Sequence, residues 1–152
     1  MKLSEALILR ADYQKQLGQL KERIVNNVKV QEGDTPAESV SSLLEQAEQL
    51  ASDYKTLIQQ INKTNLHTEF AAGMTLTDAL AERDVLALRR NLYQELVNTA
   101  SVRQERYTRS EVKFEVTVNI SDMQRQVDQL AKAYRELDMK IQEANWRTEL
   151  ME

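Results

Sequence analysis

The chain has 152 residues, a length that fits one domain and can bury a real core. Three glycines and one proline are too few for an irregular, turn-rich fold, and the mixed-sign charged residues, 29% of the chain, suit solvated helix faces. The absence of cysteine excludes disulfides, thiolate catalysis and thiolate metal sites, and a net charge of −4 does not suit a general nucleic-acid binder.

At the N-terminus, Ser4, Glu5 and Arg10 interrupt the apolar run that a signal peptide needs. No stretch approaches the roughly 18 apolar residues of a membrane span, so a cytoplasmic location without a membrane span is expected.

A first helix is predicted from about Ser4 to Val28. Leu3, Ala6, Arg10, Tyr13, Leu17, Leu20 and Ile24 alternate three and four apart, a heptad seam with one charged member. Gly33 marks the turn that follows.

Thr35-Pro36-Ala37-Glu38 predicts the start of a second helix, combining a capping hydroxyl, proline at the first helical position and glutamate three residues after the cap. Its seam is Val40, Leu43, Ala47, Leu50, Tyr54, Leu57 and Ile61, with an end expected near Lys63 or Thr64. Residues 65–76 read as a connection in which Leu66, Thr68 and Phe70 alternate with His67 and Glu69, the pattern of a short strand, and Gly73 permits a tight turn.

A third helix is predicted from Thr75 or Thr77, with Asp78 in its first turn, to about Arg103 or beyond. Its apolar arc is broad, comprising Val85, Leu86, Leu88, Leu92, Tyr93, Leu96, Val97 and Ala100, with Arg89 in the middle. The period then changes. Val112, Phe114, Val116, Val118 and Ile120 alternate with polar residues, which predicts a strand. That strand must pair with residues 66–70, pair with a copy of itself, or lie extended over the helices. A fourth helix is predicted from Ser121, with Gln124 completing a capping box. Its seam is Met123, Val127, Leu130, Tyr134, Leu137, Ile141 and Ala144, and Trp146 beyond it reads as a plug on the bundle end.

The expected fold is therefore mainly all-α, a single helical domain over 1–152. Four long amphipathic helices form an up-and-down bundle or paired helical hairpins, with a small extended or β element at 66–76 and 111–120.

The strings KVQEGDTPAE, INKTN, MTLTDALAERDVLALR, ASVRQERYTRSEVKF and IQEANW, in that order along the chain, resemble a family of small uncharacterised bacterial proteins, some of which carry the name septicolysin. The resemblance spans the chain and brings no catalytic residues with it. The name implies a pore-forming cytolysin, a membrane-lytic reading that the charge on the polar faces of these helices disfavours.

Candidate chemistry is sparse. His67 is the single histidine and reads as a surface residue, so no metal and no cofactor is expected. Arg103, Arg106 and Arg109 form a basic run beside Tyr107 that suits a phosphate or a nucleic-acid backbone, although Glu105 and Glu111 dilute it. Tyr13, Tyr54, Tyr93 and Tyr134 occupy seam positions, one per helix, and read as core residues ahead of a ligand pocket. Arg10, at a seam position, needs an acid or backbone carbonyls. In an up-and-down bundle its height matches that of Glu82 and Asp78, so a buried polar cluster of Arg10, Asp78, Glu82 and Arg89 is expected.

No phosphate loop, nucleophile elbow or zinc motif appears in the sequence. The leading expectation is a non-enzymatic helical protein that associates with itself, as a homo-oligomer, or with a protein partner. The second is an anion or nucleic-acid binder using Arg103, Arg106 and Arg109.

Overall fold

The computed structural model describes residues 1–102 and 113–152. Its elements in chain order are α1 (Leu3–Asn27), α2 (Val40–His67), β1 (Glu69–Ala71), β2 (Met74–Thr75), α3 (Leu76–Ser101) and α4 (Ile120–Arg147). The four helices account for most of the described residues, as the seams predict, and the fold is mainly all-α.

Packing divides the chain into two compact units, Met1–Glu69 with Gln142–Glu152, and Phe70–Ile141. The boundaries fall inside β1 and inside α4.

In the first unit α1 and α2 form an antiparallel hairpin. Gln14 donates to the Tyr54 hydroxyl at 2.7 Å, and at the opposite end the Glu38 N–H donates to the Asn27 amide oxygen at 3.1 Å. Leu3, Ala6, Leu20, Leu43, Leu57 and Ile61 are buried, and the remaining members of both predicted seams are half-buried.

Helix α2 starts later than Thr35-Pro36 suggests. Its cap is Ser39, whose hydroxyl accepts from Ser42 N–H. Glu38 is occupied elsewhere, in an ion pair with Arg23 that closes the end of α1 against the chain entering α2. A glutamate committed to Arg23 and Asn27 does not fold back on a cap at Thr35.

At its far end α2 runs on to His67 rather than stopping near Lys63 or Thr64. The Thr68 N–H and hydroxyl both donate to the Thr64 carbonyl, at 2.9 and 2.7 Å, and this carries the helical turn past the predicted stop. The strand expected from Leu66 is correspondingly shorter. β1 and β2 form a two-stranded hairpin turned at Gly73, whose φ of 75° is one that an L side chain rarely adopts.

In the second unit α3 begins where the sequence places it. The Thr75 hydroxyl accepts from Asp78 N–H at 3.2 Å, and the Asp78 carboxylate accepts from Thr75 N–H at 2.8 Å, a reciprocal cap. Helices α3 and α4 run antiparallel here: Arg83 meets Asp138, and about two turns further along α3 the Arg90 guanidinium lies over the Tyr134 ring.

Residues 113–119 contain no strand, contrary to the alternation at 112–120; Val112 lies outside the described residues. An alternating pattern makes a strand only where a second backbone supplies hydrogen bonds, and β1 takes its partner from β2 next door. Ile120 is the first residue of α4, and the helix is capped by Asn119, whose side chain accepts from Asp122 N–H at 3.0 Å, rather than by Ser121.

Candidate functional site

The broad apolar arc of α3 resolves into two faces. One carries Leu76, Ala79, Arg83, Leu86, Arg90, Tyr93, Val97 and Ala100, all buried or half-buried. The other carries Val85, Leu88, Leu92 and Leu96, which keep 50%, 68%, 59% and 38% of their surface exposed. Arg89 accompanies the exposed face.

Past Leu96 the same end of the unit holds a groove of about 580 Å³ lined by Leu96, Ala100, Val102, Phe114, Val116 and Val118 among others. Phe114 and Val102 in its wall are largely exposed. The alternating segment that forms no strand thus contributes one wall of an apolar groove.

Of the four residues expected in a buried polar cluster, three are not buried. Asp78, Glu82 and Arg89 are exposed, and Arg10 is half-buried in the first unit whereas the other three belong to the second. Asp78 is committed to Thr75, whose backbone N–H and hydroxyl hold its carboxyl below the usual range. A carboxylate that caps its own helix has its lone pairs occupied already.

Among the described residues a partly buried ion pair joins α3 to α4. Arg83 Nη1 donates to Asp138 Oδ1 at 2.7 Å, with side chains 23% and 33% exposed. Arg83 Nε is buried without a hydrogen-bond acceptor. The signal was present in the spacing, because Arg83 continues the seam of Leu76, Ala79, Leu86 and Arg90, but its partner lies 55 residues away on α4.

Polar chemistry in the first unit is structural. Thr64, fully buried, donates its hydroxyl to Gln60 O at 2.7 Å and accepts Met151 N–H at 2.9 Å. Leu3 N–H donates to Thr148 O and Leu150 N–H to Met1 O, which places residues 1–3 beside 148–150 in an antiparallel bridge centred on Lys2 and Glu149. The Lys2 ammonium and the chain's N-terminal ammonium hold the Glu149 carboxyl below its usual range.

His67 is exposed at the end of α2, with its Nδ1 2.8 Å from Lys63 O. Among the described residues no group of three His, Cys, Asp or Glu side chains could hold a metal ion. Tyr13 and Tyr54 belong to the first unit and Tyr93 and Tyr134 to the second, all four half-buried, and the Tyr54 hydroxyl accepts from the Gln14 amide. Trp146 is 59% exposed and is not a plug, because the buried position on that turn is taken by Asn145. Arg103, Arg106 and Arg109 lie outside the described residues.

The apolar face of α3 and its groove are a surface feature that these contacts leave unassigned. Comparison with curated proteins yields no match. Among solved structures the chain is similar to a functionally unknown conserved protein from Corynebacterium diphtheriae, with 43% identity, coverage of 99% of each chain and a TM-score of 0.93. The model of a family of unknown function, DUF6847, matches residues 10–150, and the chain belongs to that family.

Proposed function

We propose that this protein works by association with another protein surface rather than by catalysis. The observation that carries the reading is the row Val85, Leu88, Leu92 and Leu96 on α3, continued by Val102 and Phe114 at the groove. Isolated exposed apolar residues are ordinary; a contiguous row on one face of a helix keeps hydrophobic surface in water unless something covers it. The charged polar faces of the helices suit this role in a cytoplasmic setting.

Light scattering on a sizing column, together with mass spectrometry of what co-elutes from the native cell, tests the reading. A mass above 17.6 kDa or a stoichiometric partner lost on Leu92→Glu is expected. A strict monomer with no such partner overturns it.

The basic run of Arg103, Arg106 and Arg109 supports a second reading, an anion or nucleic-acid site. Such binding weakens steeply with salt. The expected outcome is no gel shift with RNA or DNA at physiological salt; a shift lost on Arg106→Ala replaces association with this reading. For the lytic activity that the septicolysin name implies, no helix among the described residues is long and apolar enough to cross a membrane. No dye release from liposomes is expected, and dose-dependent leakage would restore that reading.

A further inference from the structure

We infer that the exposed face of α3 is covered by the same face of a second copy of this chain, with the two α3 helices parallel and in register. The inference rests on the association reading and names its partner and geometry.

Val85, Leu88, Leu92 and Leu96 are spaced three, four and four apart. At about 100° per residue they fall within roughly 80° of arc, and Thr99 continues the row. The face that carries Leu76, Ala79, Arg83, Leu86, Arg90 and Val97 is centred roughly 160° away, so α3 presents two opposed seams. One is used within the second unit and the other is open.

Charge decides the orientation. Glu82 and Arg89 flank the open seam on one side; Asp84, Asn91 and Glu95 flank it on the other. An antiparallel pair that opposes Val85 with Leu96 sets each flank against itself. Arg89 then approaches the second copy's Arg89, and Asp84 approaches its Glu95. In a parallel, in-register pair the flank that carries Arg89 on one helix faces the flank that carries Asp84 and Glu95 on the other, with Glu82 near Asp84 as the one like-charge approach. Each Arg89 then lies between Asp84 and Glu95 of the opposite copy, and like residues stack in four apolar layers. Among the described residues Arg89 and Glu95 make no ion pair, and Asp84 has Arg83 Nε at 3.9 Å, with its carboxylate largely exposed.

The four layers extend about 16 Å along the helix. That is a small seam beside the roughly 1,200 Å² of a stable interface, so a concentration-dependent dimer is expected, appearing by about 100 μM.

The chain has no cysteine, which makes a clean test possible. Sedimentation velocity of the full chain from about 10 μM to 1 mM should show the dimer, with Leu88→Glu shifting its midpoint at least tenfold while the helical circular dichroism is kept. Arg89→Glu should weaken the dimer, and mixing it with Asp84→Lys, Glu95→Lys protein should form a heterodimer tighter than either variant alone. Under mild oxidation Leu96→Cys should cross-link to itself, because like residues meet in a parallel pair.

A monomer at 1 mM overturns the second copy as occupant, while the association reading still stands or falls on co-elution. A dimer indifferent to Leu88→Glu overturns α3 as the surface and keeps the association reading. A dimer in which Leu96→Cys resists cross-linking and a mixture of Leu96→Cys with Val85→Cys cross-links overturns the parallel arrangement.

Discussion

The two units solve the same problem, long amphipathic helices in water, in different ways. In the first, the seams of α1 and α2 meet each other, and the polar groups at their ends are occupied by local capping, by Arg23 with Glu38, and by the strand-like bridge between residues 1–3 and 148–150. Each unit has a seam arginine, Arg10 in the first and Arg83 in the second; in the second it meets Asp138, and four large apolar residues of α3 remain outside in one row. The lesson is that amphipathic spacing alone does not say which apolar face packs. A helix with two stripes can use a charged one inside if an acid on the neighbouring helix faces it, leaving the purely apolar one for another surface.

The contrast breaks most sharply on core truncation. Ile61→Ala, at a side chain 1% exposed, should lower stability in urea by about 2–5 kcal/mol. Leu88→Ala, on the exposed face, should change it by no more than about 0.5 kcal/mol when measured below the dimer range. A comparable loss at both positions would mean that the α3 face is packed within the chain.

Next in size is the seam pair. Asp138→Asn should destabilise by about 1–3 kcal/mol, because it leaves the Arg83 guanidinium without its charged acceptor in a partly buried setting. The double variant with Arg83→Met should recover part of that loss. Strict additivity would show that the two side chains are not coupled.

Thr64→Val sharpens the account of the first unit. It removes the acceptor for Met151 N–H and should cost about 1 kcal/mol. Hydrogen exchange at the Met151 amide should accelerate. Unchanged protection there would remove Thr64 from the tail's attachment.

The smallest effect is that of pH on exposed pairs. Glu38, held by Arg23, and Glu149, held by Lys2, both have carboxyls below the ordinary value of 4.5. A depressed carboxyl stabilises the fold above its unfolded pKa, and the contribution fades as pH falls through the lower folded value. Stability should therefore be flat from neutral pH to about 5 and decline slightly below about 4.5. Charge-neutral Glu38→Gln should flatten part of that decline; a decline unaltered by it would assign the acid sensitivity to other groups.

The sequence by itself determined the four helices, the seams of α1, α2 and α4, and the start of α3 near Thr75 with Asp78 in its first turn, because each depends on residues within a few positions of one another. Local signals erred wherever another group competed, near in the chain or far. Glu38 left the predicted Thr35 cap for Arg23 and Asn27, and Thr68 extended α2 past its expected stop. The alternating run after residue 112 pairs with no strand among the described residues, where β1 pairs with β2. Only the tertiary structure decided which stripe of α3 faces inward, since both stripes keep helical spacing and nothing in the local sequence marks Asp138, 55 residues on, as the acid that makes the arginine-bearing one the packed face. Helical periodicity is set by bonds four residues apart, whereas the choice between two such faces is set by what the fold brings opposite them.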